Sequence, residues 1–250
     1  MRVLVTRPEP GAARTAGKLR DRGADPVLMP LTRTVMLTPE RADFEADRSG
    51  AFAVTSANAI RSWRSFGIES DCLALPVYAV GARTGAAASE AGFHDVRIGA
   101  GDGTELAGMI VKDRQAGTLA LSADKPLVYA AGRLRQGDFE RALKEHKLPM
   151  RTVEIYETEN ISYSTDYISG LILDHRPDVV LLYSSVAAER FFESFNASVD
   201  LNLLKDCNFF CISEQVAKQV PVEFSDRTLI AASPDEENLM RLFDEDRDSS

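Results

Sequence analysis

Short apolar runs alternate with longer amphipathic ones along the chain. The run Val3-Leu4-Val5 leads into Thr6-Arg7-Pro8, a helix-like stretch from Gly11 to about Arg22, and then Val27-Leu28-Met29. Leu127-Val128-Tyr129-Ala130-Ala131 opens the same series again, with Gly132-Arg133, a helix-like stretch from Asp138 to Lys147, and Val153-Glu154-Ile155-Tyr156. One constant register superposes the two without a gap. It sets Arg7 on Arg133, Gly11 on Gly137, Lys18 on Lys144, Val27 on Val153 and Pro30 on Tyr156.

Later segments repeat in the same order. Phe52-Ala53-Val54-Thr55-Ser56 answers to Leu181-Leu182-Tyr183-Ser184-Ser185, Val77 to Gly81 answers to Phe209 to Ser213, and Val96-Arg97-Ile98 answers to Thr228-Leu229-Ile230. Ser233-Pro234-Asp235-Glu236 reads as a capping box opening a last helix. Short buried strands alternating with helices of roughly 10–15 residues are the pattern of parallel α/β units. Two copies of such a series predict two doubly wound parallel-sheet domains rather than a solenoid. The stretches Val27 to Leu37 and Thr152 to Thr158 mix β-branched with polar residues and read as crossings between the domains.

Composition narrows the function. A net charge of −9 argues against a nucleic acid or an anionic membrane as partner, because both need a basic surface. It leaves open a small anion held by backbone N–H groups and a few local arginines. Cys72, Cys207 and Cys211 form neither a disulfide framework nor a zinc pattern, and His94, His146 and His175 have no ligand spacing, so no metal or cofactor is expected. The N-terminus carries no signal-peptide pattern and no apolar run approaches the ~20 residues of a membrane span, which predicts a cytoplasmic protein.

In open α/β sheets ligands bind beyond the carboxyl ends of the strands. Those ends are Thr6-Arg7, Thr55-Ser56, Gly81, Gly99 to Gly103, Gly132-Arg133, Ser184-Ser185, Ser213 and Ser233, rich in glycine and hydroxyls. Each hydroxyl serves equally well as a helix cap. No P-loop, dinucleotide fingerprint or nucleophile elbow is present, which disfavours a nucleotide enzyme and a serine hydrolase. Tyr156 stands where the first copy has Pro30. A phenol can donate a proton to a departing hydroxyl, although one that ionises near ~10 is a weak acid, and the same residue could simply pack at a junction.

The segments Val5-Thr6-Arg7-Pro8, Val54-Thr55-Ser56-Ala57-Asn58-Ala59, Val80-Gly81-Ala82-Arg83-Thr84 and Val153-Glu154-Ile155-Tyr156-Glu157-Thr158 are similar, in order and spacing, to those of the uroporphyrinogen-III synthase family. The resemblance runs from Val3 to about Phe243. It implies two doubly wound α/β domains joined by a two-stranded β-ladder, the first discontinuous (residues 1–34 plus 166–250), the second at 40–150, with crossing strands at 27–38 and 151–160. It implies an enzyme that converts linear hydroxymethylbilane, which carries eight carboxylates, into uroporphyrinogen III with loss of water and inversion of ring D; a monomer is expected.

Under the resemblance Tyr156 is the acid that protonates the leaving hydroxyl. Ser56, Gly81 and Thr84 would contact substrate from one domain, and Ser184, Ser185 and Ser213 from the other. Gly103 and Thr104 in the glycine-rich turn complete the expected binding set, and Arg7 and Arg133 are expected either to help hold the anionic substrate or to form surface ion pairs. The family's usual Gly and Thr in the second series are replaced by Ser213 and Val216. The alternative reading is a non-catalytic, two-domain small-molecule-binding regulator with the same hinged cleft.

Overall fold

The structure is a computed structural model that describes residues 1–198 and 201–248. The chain divides into two compact units, one made of Met1–Arg33 with Glu159–Ser250, the other of Thr34–Thr158. Strands of the second unit are β3 (Thr32–Met36), β4 (Ala51–Val54), β5 (Val77–Ala79), β6 (Val96–Ile98), β7 (Leu127–Gly132) and β8 (Met150–Asn160). Its helices are α2 (Ala57–Phe66), α3 (Ser70–Leu73), α4 (Ala82–Glu90), α5 (Gly103–Gln115) and α6 (Asp138–Glu145). The first unit holds strands β1 (Arg2–Val5), β2 (Asp25–Leu28), β9 (Val179–Leu182), β10 (Asn208–Cys211) and β11 (Thr228–Ile230). Its helices are α1 (Gly11–Asp21), α7 (Thr165–His175), α8 (Ser185–Ser198), α9 (Glu214–Ala217) and α10 (Glu236–Asp248).

The second sheet runs β3-β8-β7-β4-β5-β6 and the first β11-β10-β9-β1-β2. Counted from β4, the parallel strands of the second sheet have the order 3-2-1-4-5. Counted from β9 and continued at β1, the first sheet has the same order. The two halves thus share one topology, with the chain entering it at different points. The topological equivalence of β1 with β7, β4 with β9, β5 with β10 and β6 with β11 is the one the sequence repeat predicts. Strands β4, β7 and β9 are buried at every residue, which is why they read as unbroken apolar runs rather than alternating ones.

Three local expectations change. The stretch from Val27 to Leu37 is two strands, not one extended crossing: Val27 and Leu28 belong to β2, paired with Leu4 and Val5, and β3 begins only at Thr32. On the C-terminal side, β8 pairs with β7 as far as Tyr156 and has β3 on its other side, so it is a strand of the sheet as well as a crossing. The cap of α10 is Asp235 rather than Ser233. Its carboxylate accepts from the Asn238 N–H at 2.9 Å, so the helix starts two residues beyond Pro234.

Helix α2 shows how the sequence builds one layer. Ser56 caps it by accepting from the Asn58 N–H at 3.1 Å, and Gly67, at φ +92°, ends it. Its buried face carries Ile60 and Trp63. The Trp63 ring lies 4.4 Å from Phe44, 4.5 Å from Phe52 and 5.4 Å from Phe93, centroid to centroid. On the other face α5 is pinned by a polar cluster. The Tyr78 hydroxyl of β5 donates to Asp113 of α5 at 2.7 Å, and Arg97 of β6 pairs with the same carboxylate at 2.7 Å. This contact fixes the helix whose first turn reaches the strand ends.

Phe93→Ala should destabilise the second unit by about 3 kcal/mol, because a buried aromatic leaves a cavity. Urea unfolding followed by the fluorescence of Trp63, the only tryptophan, reads it directly. Asp113 gives a pH signature. The Tyr78 hydrogen bond and then the Arg97 pair hold its carboxyl below the usual range. Its stabilisation is therefore complete above the unfolded value near ~3.9 and is lost as pH falls through the lower folded value. Asp113→Asn should cost about 1–2 kcal/mol at pH 7, discounted for partial exposure, and the gap to wild type should begin to narrow only below about pH 4.

Candidate functional site

Parallel strands whose onward connections run to opposite sides leave a crevice beyond their carboxyl ends. In the second unit this reversal falls between β4, which continues towards β5, and β7, which continues towards β8. A cavity of about 520 Å³ opens there, within the ~300–1,000 Å³ of small-molecule sites. Thr55 follows β4, Tyr129 lies in β7 and Tyr156 in β8, and all three line it. So do Gly103 and Thr104, the first residues of α5.

The floor is a pair of hydroxyls. Tyr129 Oη and Thr55 Oγ1 are 2.7 Å apart, and the Tyr129 ring meets Phe139 edge-on at 4.7 Å. Burial pushes the Tyr129 phenol above its ordinary value, with the Thr55 hydrogen bond opposing, so it stays protonated at neutral pH. Asp102 caps α5 by accepting from the Glu105 N–H at 2.8 Å. Gly103 lets the first turn of α5 approach α6, for a Cβ there would come within 3.1 Å of the Phe139 Cβ. The wall after β7 is held by Arg135. It pairs with Glu140 at 3.0 Å and Glu154 at 3.1 Å and donates to the Gly132 carbonyl at 3.0 Å. Burial alone would raise the Glu140 carboxyl, but hydrogen bonds from Arg135 and Thr152 bring it below the usual range. The Glu154 carboxyl is lowered by hydrogen bonds from Arg135 and then Arg133.

Of the residues singled out in the sequence, Tyr156, Gly103 and Thr104 are brought to this one cavity. Gly81 caps α4 beside it, where a Cβ would be an ordinary 3.6 Å from the Gly101 Cα, so space does not demand a glycine there. Ser56 is spent on capping α2, Thr84 is buried in the first turn of α4, and neither lines the cavity. Arg133 is half-exposed and pairs with Glu154 at 3.2 Å and Glu157 at 2.5 Å. Tyr129 and Arg135 are not among the residues the sequence points to, and Thr55 is marked there only as a strand end. A tyrosine inside the run Leu127 to Ala131, two residues from a strand end, was the available signal for Tyr129. Nothing in the sequence separates Arg135 from Arg133.

The first unit ends its strands differently. Arg7, after β1, lies 4.3 Å over the Tyr183 ring and pairs with Glu236 at 2.9 Å. Glu236 also accepts from the Thr15 hydroxyl at 2.6 Å and pairs with Lys18 at 2.7 Å. Burial favours its neutral form, yet these donors keep its carboxyl below the usual value. Arg7 therefore already holds a carboxylate. Ser184 caps α8 through the Ala187 N–H at 3.1 Å, and Ser185 donates to the Gln215 carbonyl at 3.2 Å. Ser213 precedes α9 and makes no side-chain cap bond.

Among the described residues no group of three or more His, Cys, Asp or Glu could hold a metal ion, and no helix is long and apolar enough to cross a membrane. Cys72, Cys207 and Cys211 are buried free thiols. Comparison with curated protein sequences gives no significant match. Among solved structures, the chain is similar to uroporphyrinogen-III synthetase from Helicobacter pylori, with TM-score 0.61 and 15% identity over 98% of this chain and 99% of that one. It is also similar to a mutant uroporphyrinogen III synthase from Thermus thermophilus, with TM-score 0.57 and 14% identity over 100% of both chains. At such identities these two likenesses bear on the fold. The family itself rests on a match of residues 13–241 to the model for uroporphyrinogen-III synthase HemD. This chain belongs to the uroporphyrinogen-III synthase family, lyases that act on a tetrapyrrole in porphyrin biosynthesis.

Proposed function

We propose that this chain closes hydroxymethylbilane to uroporphyrinogen III over the strand-end cavity of its second unit, with Tyr156 as the proton donor. The observation that carries the reading is the placement of Tyr156 at the β4/β7 reversal, lining the cavity with the Thr55–Tyr129 pair and the first turn of α5. In the proposed step the Tyr156 phenol gives its proton to the hydroxyl on the methylene of ring A. The C–O bond breaks, its electron pair leaves with water, and the pyrrole nitrogen supplies the pair that forms the azafulvene. The substituted α-carbon of ring D then attacks, and the spiro intermediate fragments and re-closes with ring D turned over. Aromaticity returns when ring D loses its α-proton, which balances the proton spent at the start.

The pyrroles supply most of the electronic drive, so the protein's contribution is mainly folding the substrate, with acid assistance added. The net charge of −9 means that eight substrate carboxylates must be met by local donors. Backbone N–H groups at helix first turns are suited to this, those at Gly103 and Thr104 above all. Gly81 and Arg133, at strand ends of the same unit, are the further contacts in this reading. Arg7 would serve a substrate only in exchange for Glu236. The same acidic charge supports a protein that works without nucleic acid, and we read it as a cytoplasmic monomer.

Freshly generated hydroxymethylbilane incubated with the protein should yield mainly the type III isomer. A pure type I product would end the synthase reading. Tyr156→Phe should lower kcat more than it raises KM, by ~10²-fold or less, because the phenol acts in the transition state and the pyrrole nitrogen already expels the hydroxyl. The variant's product should remain largely type III, since the whole cavity folds the substrate. Steady-state rates with isomer analysis measure both effects.

A further inference from the structure

The geometry points to Gly132 as the positioning residue for Tyr156, a role that rests on the reading of Tyr156 as the acid. The Tyr156 ring lies across Gly132. A Cβ built at Gly132 would sit 2.7 Å from Tyr156 Cζ and 2.8 Å from both Cε2 and Oη, whereas ordinary contact begins at 3.4 Å. The backbone itself does not call for glycine there, because Gly132 is not among the residues with positive φ. What it supplies is a missing side chain, directly beneath the phenol.

The strand pairing aims the ring at that gap. Along β7 and β8 the partners advance in step up to Ala131 with Glu154, then shift so that Gly132 faces Tyr156. Irregularities of this kind re-aim side chains next to active sites. The Arg133 N–H, donating to the Tyr156 carbonyl at 2.9 Å, closes the ladder beyond the shift. The other half of the chain makes the opposite choice at both positions. In the repeat register Gly132 corresponds to Thr6 and Tyr156 to Pro30. Thr6 is buried and donates to the Leu181 carbonyl at 2.6 Å. The half with the ring has the glycine, and the half without the ring fills the space.

A methyl group at position 132 would meet the far end of the ring, so the phenol would give way before the backbone did. The displacement needed is several tenths of an ångström. A catalytic group must be held within about 0.5 Å, and ~1 Å of misplacement can cost ~10²-fold.

Two double-mutant cycles test this. Gly132→Ala should lower kcat by about the factor of Tyr156→Phe, with a much smaller change in KM, and the double variant should be no slower than the worse single one. Losses that multiply in the double variant would overturn the proposal, since Gly132 would then act without Tyr156. So would wild-type kcat in Gly132→Ala beside an impaired Tyr156→Phe. Thermal unfolding supplies the second cycle and guards against mere misfolding. Gly132→Ala should lower Tm in the wild-type background and leave it unchanged in Tyr156→Ala, where the ring is gone. An equal drop in both backgrounds would overturn the proposal as well. Full kcat in Tyr156→Phe would sink the acid reading alone, and the placement of the ring by Gly132 would then stand or fall on the thermal cycle.

Discussion

The pairing of β4 with β7 is the contact on which the second unit depends. Both strands are buried throughout, so their backbone groups have no water to turn to and must be satisfied by neighbouring strands. Residues Ala51 to Val54 pair in step with Leu127 to Ala130, and β5 takes the other edge of β4. The chain leaving β4 must then go one way and the chain leaving β7 the other. The helices that follow diverge, and the strand ends between them stay uncovered. The cavity is a consequence of that reversal, and it is lined by Thr55 just after β4, Tyr129 within β7 and Tyr156 where the pairing of β8 with β7 ends.

The same reversal occurs in the first unit between β9 and β1, with a different outcome. There the strand ends are occupied by the protein's own charges. Glu236 takes donors from Arg7, Thr15 and Lys18, and Arg7 covers the Tyr183 ring. In the second unit the corresponding arginine, Arg133, is turned to the carboxylates of Glu154, which is exposed, and Glu157, which is partly buried. One inherited topology has thus been used for strand ends closed by the protein's own ion pairs in one half and a hydroxyl-lined cavity in the other. Duplication supplies two equivalent places, and a few substitutions at strand ends, such as Gly132 and Tyr156 for Thr6 and Pro30, make them chemically unequal.

Arg135 illustrates how the open half is kept in shape. Its guanidinium engages two carboxylates and the carbonyls of Gly132 and Arg133, tying the loop after β7 to α6 and β8. The partners are partly exposed, so each pair on its own contributes little to stability. Their value lies in geometry: the planar fork fixes several groups at once around the wall of the cavity.

Periodicity and repeat decided a good deal by themselves. Buried parallel strands need apolar residues on both faces, so β4, β7 and β9 announce themselves as unbroken runs, and their repetition predicts two like halves; the shared 3-2-1-4-5 order is set by the pairing of the strands in the fold. The glycine-rich turn after β6 and the motif around Tyr156 were legible in the sequence, and the fold brings Gly103, Thr104 and Tyr156 to one cavity beyond the strand ends. Tertiary structure alone decided which of those residues meet. Ser56 and Ser184 are hydroxyls of the same kind as Thr55, yet they cap helices while Thr55 bonds to a tyrosine 74 positions away. Arg7 and Arg133 share a register but not a partner, because Glu236 and Glu154 arrive from different elements. The division of Val27 to Leu37 between two strands, and the cap of α10 at Asp235, follow from hydrogen bonds that local pattern does not encode. The glycine beneath Tyr156 is invisible as such in the sequence: its meaning is an empty volume, and a volume exists only once another strand has brought a ring to fill it.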